Sequence, residues 1–201
     1  MEAKLTDAGG RSIAENSARA GASEPSLLRA TDATGGARTT AGALGDARLL
    51  LLGMWLGAAV LFSFAVAPGA FAVLPARELA GAIVTRIIGV VNVSGFMIAL
   101  LLLATAFVPG RGAATTGRRA WLVEASALVF LALATGVGHW VVSARMAALR
   151  VALGKPIDEV AASDPLRLAF NSLHGYSVAA MTTAMLAAVV AFILIARRNR
   201  G

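Results

Sequence analysis

The sequence predicts an all-α membrane protein, a four-helix transmembrane bundle that follows a disordered N-terminal tail. Of its 201 residues, 58% are hydrophobic and only 14% are charged, and the mean hydropathy is +0.75. The large apolar residues gather into four long runs that all lie after the first 46 residues. Soluble domains carry about 25% charged residues. The composition therefore excludes an ordinary soluble globule and indicates a protein whose solvent is the bilayer.

The N-terminal block, residues 1–46, is predicted to be a disordered tail. It consists largely of Ala, Gly, Ser and Thr with scattered charges of both signs. It has too few large apolar side chains to offset the entropy cost of ordering. It lacks the compact apolar stretch of a signal peptide, and its acidic residues are not typical of a transit peptide. The second predicted domain, residues 47–201, contains the transmembrane helices.

Each apolar run is long enough to cross a membrane as a helix. The runs cover approximately residues 49–74, 79–107, 121–142 and 168–196. About 20 apolar residues at a rise of about 1.5 Å cross a hydrocarbon core about 30 Å thick. Because lipid offers no hydrogen-bond partners, the backbone must satisfy its own polar groups, which favours helices over open strands.

Proline and glycine mark the expected bends and ends of these helices. Pro68 predicts a kink late in the first run, and the Pro109–Gly112 segment is expected to end the second. Gly154 is predicted to cap a helical extension of the third run. The segment Ser163-Asp164-Pro165 predicts the start of the fourth helix, with either Asp164 or Ser163 as the cap and Pro165 in the first turn.

Two glycines four residues apart, Gly53 and Gly57, form a small-x3-small pattern in the first run. Such patterns let two transmembrane helices approach closely. Gly89, Asn92, Gly95 and Phe96 in the second run are candidates for the partner surface.

The distribution of basic residues predicts that both termini are cytoplasmic. Basic residues are more frequent beside one set of span ends, eight against five: Arg38, Arg48, Arg111, Arg118, Arg119, Arg197, Arg198 and Arg200 against Arg77, Arg145, Arg150, Lys155 and Arg167. The positive-inside rule places the more basic side in the cytoplasm. We therefore expect a multi-pass protein of the plasma (inner) membrane.

Several short segments occur in a characteristic order along the chain. They are Gly53–Gly57, Phe64–Phe71, Leu74–Pro75, Leu79–Gly81 and Phe170–Ser177, the last of which has the pattern Phe-x3-His-Gly-x-Ser. Together with the four spans they resemble the transmembrane protein 205-like family, also called domain of unknown function 4149, over approximately residues 48–198. The resemblance implies an integral membrane four-helix bundle. It implies little about chemistry, since the link of a eukaryotic relative to platinum-drug resistance is a phenotype rather than a mechanism.

Polar side chains inside the spans are the candidate functional residues, because burying a charge in a bilayer costs about 2.5 kcal/mol or more. His139 and His174 lie toward the same predicted end of the third and fourth spans. They form a polar pocket candidate with Asn171, which shares a helix face with His174, and with Arg86. The two histidines could bind a metal ion, ligate a haem, relay protons or bind a substrate. Alternatively, they could only stabilise the packing of the helices through hydrogen bonds. Arg86 could instead extend to the headgroups.

Glu124 is the one acidic residue predicted within the spans. It lies just inside the third span, one to two turns from Arg118 and Arg119, which could pair with it. We expect it to act as an interfacial anchor. It lies fifteen residues, or about 22 Å, from His139 along the helix, which is too far for one site.

Several function classes are excluded or disfavoured. The formal net charge is +7, but no basic stripe is interleaved with aromatic residues, so nucleic-acid binding is not expected. The absence of cysteine excludes thiolate chemistry. Catalytic motifs such as Gly-x-Ser-x-Gly and His-Glu-x-x-His are missing, so we expect neither an enzyme nor a bound cofactor.

Two function hypotheses remain open. The first is transport, or a role in metal or drug resistance, through the polar pocket. The alternative is a non-catalytic membrane scaffold or partner subunit, which would form a homo-oligomer or bind another membrane protein. In both hypotheses the lipid bilayer is the surrounding partner.

Overall fold

The structure is a computed structural model that describes residues 42–106 and 117–200. Those residues form four long helices: α1 (Gly42–Val73), α2 (Arg77–Ala106), α3 (Arg118–Leu153) and α4 (Pro165–Asn199). A short 3-10 helix, Ile157–Glu159, lies between α3 and α4. The two described ranges contain no strand. All four long helices are long and apolar enough to cross a membrane, which confirms the predicted fold class.

Two predictions fall on residues that are not described. The predicted disordered tail, residues 1–46, lies outside the described residues except for residues 42–46, which belong to α1. The expected break at Pro109–Gly112 also lies outside them. The helices that are described extend past the apolar runs, since α3 alone has 36 residues and is about 54 Å long.

The helices pack through seams of small and aliphatic side chains. Buried positions recur at alternating intervals of three and four residues along three helices: 48, 52, 55, 59 and 62 in α1, 124, 128, 131, 135, 138 and 142 in α3, and 181, 184, 188, 191 and 195 in α4. This spacing keeps one face of each helix toward its neighbours, as in a left-handed coiled coil. Three of the five positions in α4 hold Ala, namely 184, 188 and 191, so this helix can approach its neighbours closely.

The bundle has two unlike ends. The Glu124 end contains the first turns of α1 and α3 and the last turns of α2 and α4. The opposite end, called here the cavity end, contains the two connections that join α1 to α2 and α3 to α4. Nearly all of the largest fully buried side chains lie toward the Glu124 end: Leu52, Leu102, Leu128, Leu131, Ile195 and Glu124 itself. The largest enclosed side chains are therefore concentrated at the Glu124 end.

The predicted turn signals between α3 and α4 are confirmed. Gly154 follows α3 with φ of 62°, the left-handed conformation that favours glycine at a helix end. The Asp164 side chain accepts hydrogen bonds from the backbone N–H groups of Leu166 and Arg167 at the start of α4. Pro165 occupies the first position of that helix, where its missing N–H costs nothing.

Two π-helical segments interrupt the long helices toward the cavity end. In α1 the segment Phe62–Val66 ends two residues before Pro68, and the helix continues through the proline to Val73. In α3 the segment is Val137–Ser143, where the Ser143 hydroxyl donates to the Gly138 carbonyl at 2.9 Å. Such segments are often found at functional sites.

Glycines let α1 contact both of its neighbours closely. The Trp55 indole lies over Gly95, where an added Cβ would stand only 2.6 Å from the ring, and its Nε1 donates to the Val91 carbonyl at 2.8 Å. Gly95 on α2 is thus a contact surface for α1, as predicted, but it contacts Trp55 and not the Gly53–Gly57 pair. Gly53 packs instead beside Phe192 of α4, and Gly57 has open space around it.

Candidate functional site

A cavity of about 600 Å³ lies between the four helices toward the cavity end. All four helices contribute to it, and both π-helical segments border it through Phe62 and Ser143. Pockets that hold small organic ligands have volumes of about 300–1,000 Å³. The cavity is therefore large enough for such a molecule.

The walls of the cavity are mainly aromatic and aliphatic. They include four phenylalanines (Phe62, Phe64, Phe71 and Phe170) and three methionines (Met146, Met181 and Met185). Methionine side chains are flexible and polarizable, so they adapt to ligands of different shapes. A few polar groups among apolar walls are typical of a site that orients an organic molecule.

Polarity changes along the length of the cavity. The α4 residues that line it extend from Phe170 to Met185, fifteen residues or about 22 Å of helix. Asn171 and His174 lie near the start of this stretch, whereas Met181 and Met185 lie toward its far end. One end of an elongated ligand would thus meet polar side chains, and much of its length would meet apolar ones.

Helical periodicity explains why these side chains share a wall. Asn171, His174, Ser177 and Met181 follow one another at intervals of three and four residues on α4, so they occupy one stripe of the helix. On α3, positions 143, 146, 147 and 150 form the facing stripe. Both stripes end in a polar group near the connection between the helices.

Arg150 is the cation of this site, although its position in the sequence indicated only a basic residue beside a span. Its Nη1 atom donates to the Thr85 hydroxyl of α2 at 3.0 Å. Its guanidinium carbon lies 5.3 Å from the centre of the Phe170 ring on α4, within the range of a cation–π contact. Its helical spacing from Ser143 and Met146, which line the same cavity, was the sequence signal that could have identified it.

The predicted pocket residues are divided between two places. His174 and Asn171 line the cavity. His139 and Arg86 line a separate, more open groove along α2, together with Gly89 and other residues. The four residues therefore form two pairs and not one pocket. The orientation of each helix about its own axis directs the two histidines toward different neighbouring helices.

His139 is held by packing in the described structure. Its ring lies edge-on to Trp140 with centroids 5.0 Å apart, and it stands against Gly89 of α2. Its buried Nδ1 atom has no hydrogen-bond partner among the described residues. Those residues also contain no group of three or more His, Cys, Asp or Glu that could hold a metal ion. The two histidines line different cavities.

A buried ion cluster lies at the Glu124 end. The two Glu124 oxygens accept hydrogen bonds from Arg48 of α1 at 2.7 Å and from Arg198 of α4 at 2.8 Å. The same Arg48 nitrogen also donates to the Leu102 carbonyl of α2 at 3.2 Å. The Glu124 side chain is only 1% exposed, so it joins helices in the interior and is not an interfacial anchor.

Glu124 pairs with neither Arg118 nor Arg119, the nearby residues in sequence. Its partners lie 76 and 74 residues away. Sequence reasoning could identify Glu124 as an acid in a span but could not identify partners so distant along the chain. The cluster connects α1, α3 and α4 directly, and it reaches α2 through the Leu102 carbonyl.

Comparison with known proteins identifies a family. The family model described as Domain of unknown function (DUF4149) matches residues 50–154, just over half of the chain. The matched range covers most of α1, all of α2 and α3 through Gly154, so it includes three of the four cavity walls and ends before α4. No curated protein and no solved structure matches the chain significantly.

Proposed function

The chain belongs to the DUF4149 family, whose domain has no assigned function, and from the geometry of its site we propose that it is a non-catalytic transport protein for an amphipathic organic molecule. The cavity between the four helices is the observation that carries this proposal. Its volume of about 600 Å³ suits a small organic ligand, and its polar and apolar parts suit a ligand that has both.

An organic ligand is better supported than a metal ion. The two histidines that suggested metal binding line different cavities. The cavity walls are dominated by carbon and thioether groups, which contact apolar surface rather than hard cations. A role in drug handling would need the same kind of site.

Transport, rather than storage alone, is supported by the asymmetry of the bundle. The cavity lies toward one end, while Glu124 and its two arginines hold the helices together at the other. A transport protein that alternates access keeps its site accessible from one side while the other side is closed. The ion cluster is suited to form the closed side.

We also propose that the Glu124 end faces the cytoplasm, following the positive-inside rule. The absence of cysteine from the sequence makes this directly testable with single-cysteine variants. Ser163→Cys in the α3–α4 connection is expected to react with a membrane-impermeant maleimide on intact cells, whereas Asn199→Cys at the end of α4 is expected to react only after permeabilisation. The reverse labelling pattern would overturn the orientation.

Binding is tested first, with purified full-length protein in lipid nanodiscs. Three ten-carbon probes are dialysed to equilibrium: decanol, decanesulfonate and decyltrimethylammonium. Empty nanodiscs measure partition into lipid, which is subtracted. We expect saturable binding of at least one probe. Ala147→Trp, which places an indole in the cavity, is expected to weaken that binding at least tenfold.

Ala148→Trp is the matched control, because both alanines are exposed but only Ala147 lines the cavity. It is expected to bind like the parent protein. If Ala147→Trp does not assemble, Ser177→Trp tests the same cavity from α4. Absence of saturable binding of all three probes, or equal binding by the cavity variant and its control, would overturn the proposal and favour a scaffold or partner subunit. For a probe that binds, uptake into proteoliposomes then tests transport, and we expect this uptake to be saturable. Binding without uptake would overturn the transport role and show that the protein only binds the molecule.

A further inference from the structure

Arg150 lines the cavity as an exposed residue and contacts side chains of two neighbouring helices. It belongs to α3, donates to Thr85 of α2 at 3.0 Å and lies over the Phe170 ring of α4. The Thr85 hydroxyl donates in turn to the Gly81 carbonyl at 2.6 Å, so its oxygen lone pairs are directed to the guanidinium. The arginine head is therefore oriented before any ligand arrives, which lowers the entropy cost of binding.

Most of the hydrogen-bonding capacity of Arg150 is unused within the described chain. A guanidinium has five N–H donors in a planar fork. Thr85 takes one of them, and no other described residue accepts a hydrogen bond from this side chain. The remaining donors suit the paired oxygens of a carboxylate or a sulfonate.

The charge of Arg150 is also not neutralised by the described chain. The ion pairs of the described residues join Arg48 and Arg198 to Glu124 and Arg77 to Asp158, and Arg150 takes part in none of them. No carboxylate lies among the residues that line the cavity. The charge of Arg150 is therefore available to an anionic group that enters the cavity, whereas the charge of Glu124 is already matched by two arginines.

We propose that the polar end of the ligand is an anionic group, a carboxylate or sulfonate, and that Arg150 binds it while the apolar part lies among the phenylalanine and methionine side chains. Asn171 and His174 lie on the α4 wall of the same cavity and add polar atoms that contact the same group. This inference rests on the proposed function and specifies its substrate class: amphipathic organic anions.

The test compares the three ten-carbon probes, which share an apolar tail and differ in charge. In the parent protein, decanesulfonate is expected to bind at least tenfold more tightly than decanol, and decyltrimethylammonium more weakly than decanol. Arg150→Gln is expected to remove the preference for the sulfonate while leaving decanol binding within about threefold. A loss confined to the anion is not expected of a purely structural role.

The matched control is Arg145→Gln. Arg145 is an exposed arginine on α3 that does not line the cavity, so its removal changes the net charge equally. It is expected to keep the tenfold preference. Thr85→Val, which retains the arginine but removes its acceptor, is expected to reduce the preference several-fold and serves if Arg150→Gln does not assemble.

The outcomes separate this inference from the proposed function. Equal binding of decanol and decanesulfonate, unchanged in Arg150→Gln, overturns the anion assignment and leaves the cavity proposal intact. An equal loss in the Arg145 and Arg150 variants also overturns it, because net charge alone would then explain the effect. Failure of all three probes to bind overturns the proposed function itself.

Discussion

Removing the buried carboxylate of Glu124 should strongly destabilise the bundle. The variant Glu124→Gln keeps the shape of the side chain but abolishes the charge that both arginines contact. Breaking a buried ion pair by removing one partner costs about 3–5 kcal/mol. Glu124 is 1% exposed and Arg48 is 4% exposed, so this full range applies to their contact.

The second contact of Glu124 should contribute less. Arg198 is 22% exposed, and water partly compensates for its loss. Arg198→Ala is therefore expected to cost about 1–2 kcal/mol, between the values for an exposed pair and for a buried charged hydrogen bond. Arg197→Ala, which removes an exposed arginine from the neighbouring position, is the control and should change stability by less than about 0.5 kcal/mol.

The measurement is the free energy of unfolding, from titration of the purified protein in mixed micelles with sodium dodecyl sulfate and detection by circular dichroism. The expected order of destabilisation is Glu124→Gln, then Arg198→Ala, then Arg197→Ala. A Glu124→Gln protein within about 1 kcal/mol of the parent would refute the reasoning, because the cluster would then contribute no more than an exposed pair. Equal effects of the two arginine variants would refute the assigned role of Arg198.

Two further substitutions test the packing and the turn signals by the same titration. Gly95→Ala places a methyl group 2.6 Å from the Trp55 ring and is expected to cost about 1–3 kcal/mol. Gly57→Ala meets open space and should leave the stability unchanged or raise it by up to about 1 kcal/mol, because alanine favours the helix; a neutral Gly95→Ala would contradict the close contact. Asp164→Ala removes the side-chain cap of α4 and is expected to cost about 1 kcal/mol. The neighbouring Ser163→Ala should cost less than half as much, and a reversed order would show that the cap is misassigned.

The sequence determined the elements of the fold because its strongest signals are local. Four apolar runs of sufficient length predict four helices in any arrangement, since a backbone in lipid has few alternatives. Gly154 and the Asp164-Pro165 pair predict where α3 ends and α4 begins, because a left-handed residue and a side-chain cap act within one turn of the chain. The structure confirms both sites.

The candidate site was only partly predictable. His174 and Asn171 were recognised as polar residues in a span, and the structure places both in the cavity wall. His139 and Arg86 were recognised in the same way but line the separate groove. Arg150 was missed, because an arginine beside a span is usually only an orientation signal.

The tertiary structure alone decided which side chains meet. Depth along a helix follows from counting residues, but the direction in which a side chain points within the bundle depends on how every helix rotates against its neighbours. That rotation is set by contacts between segments that are distant in sequence. The Trp55 ring packs against Gly95, and Arg48 donates a hydrogen bond to Glu124, which lies 76 residues further along the chain. Local sequence therefore determined four membrane-spanning helices and their ends, whereas long-range packing placed Arg150 in a cavity, enclosed Glu124 and turned the two histidines apart.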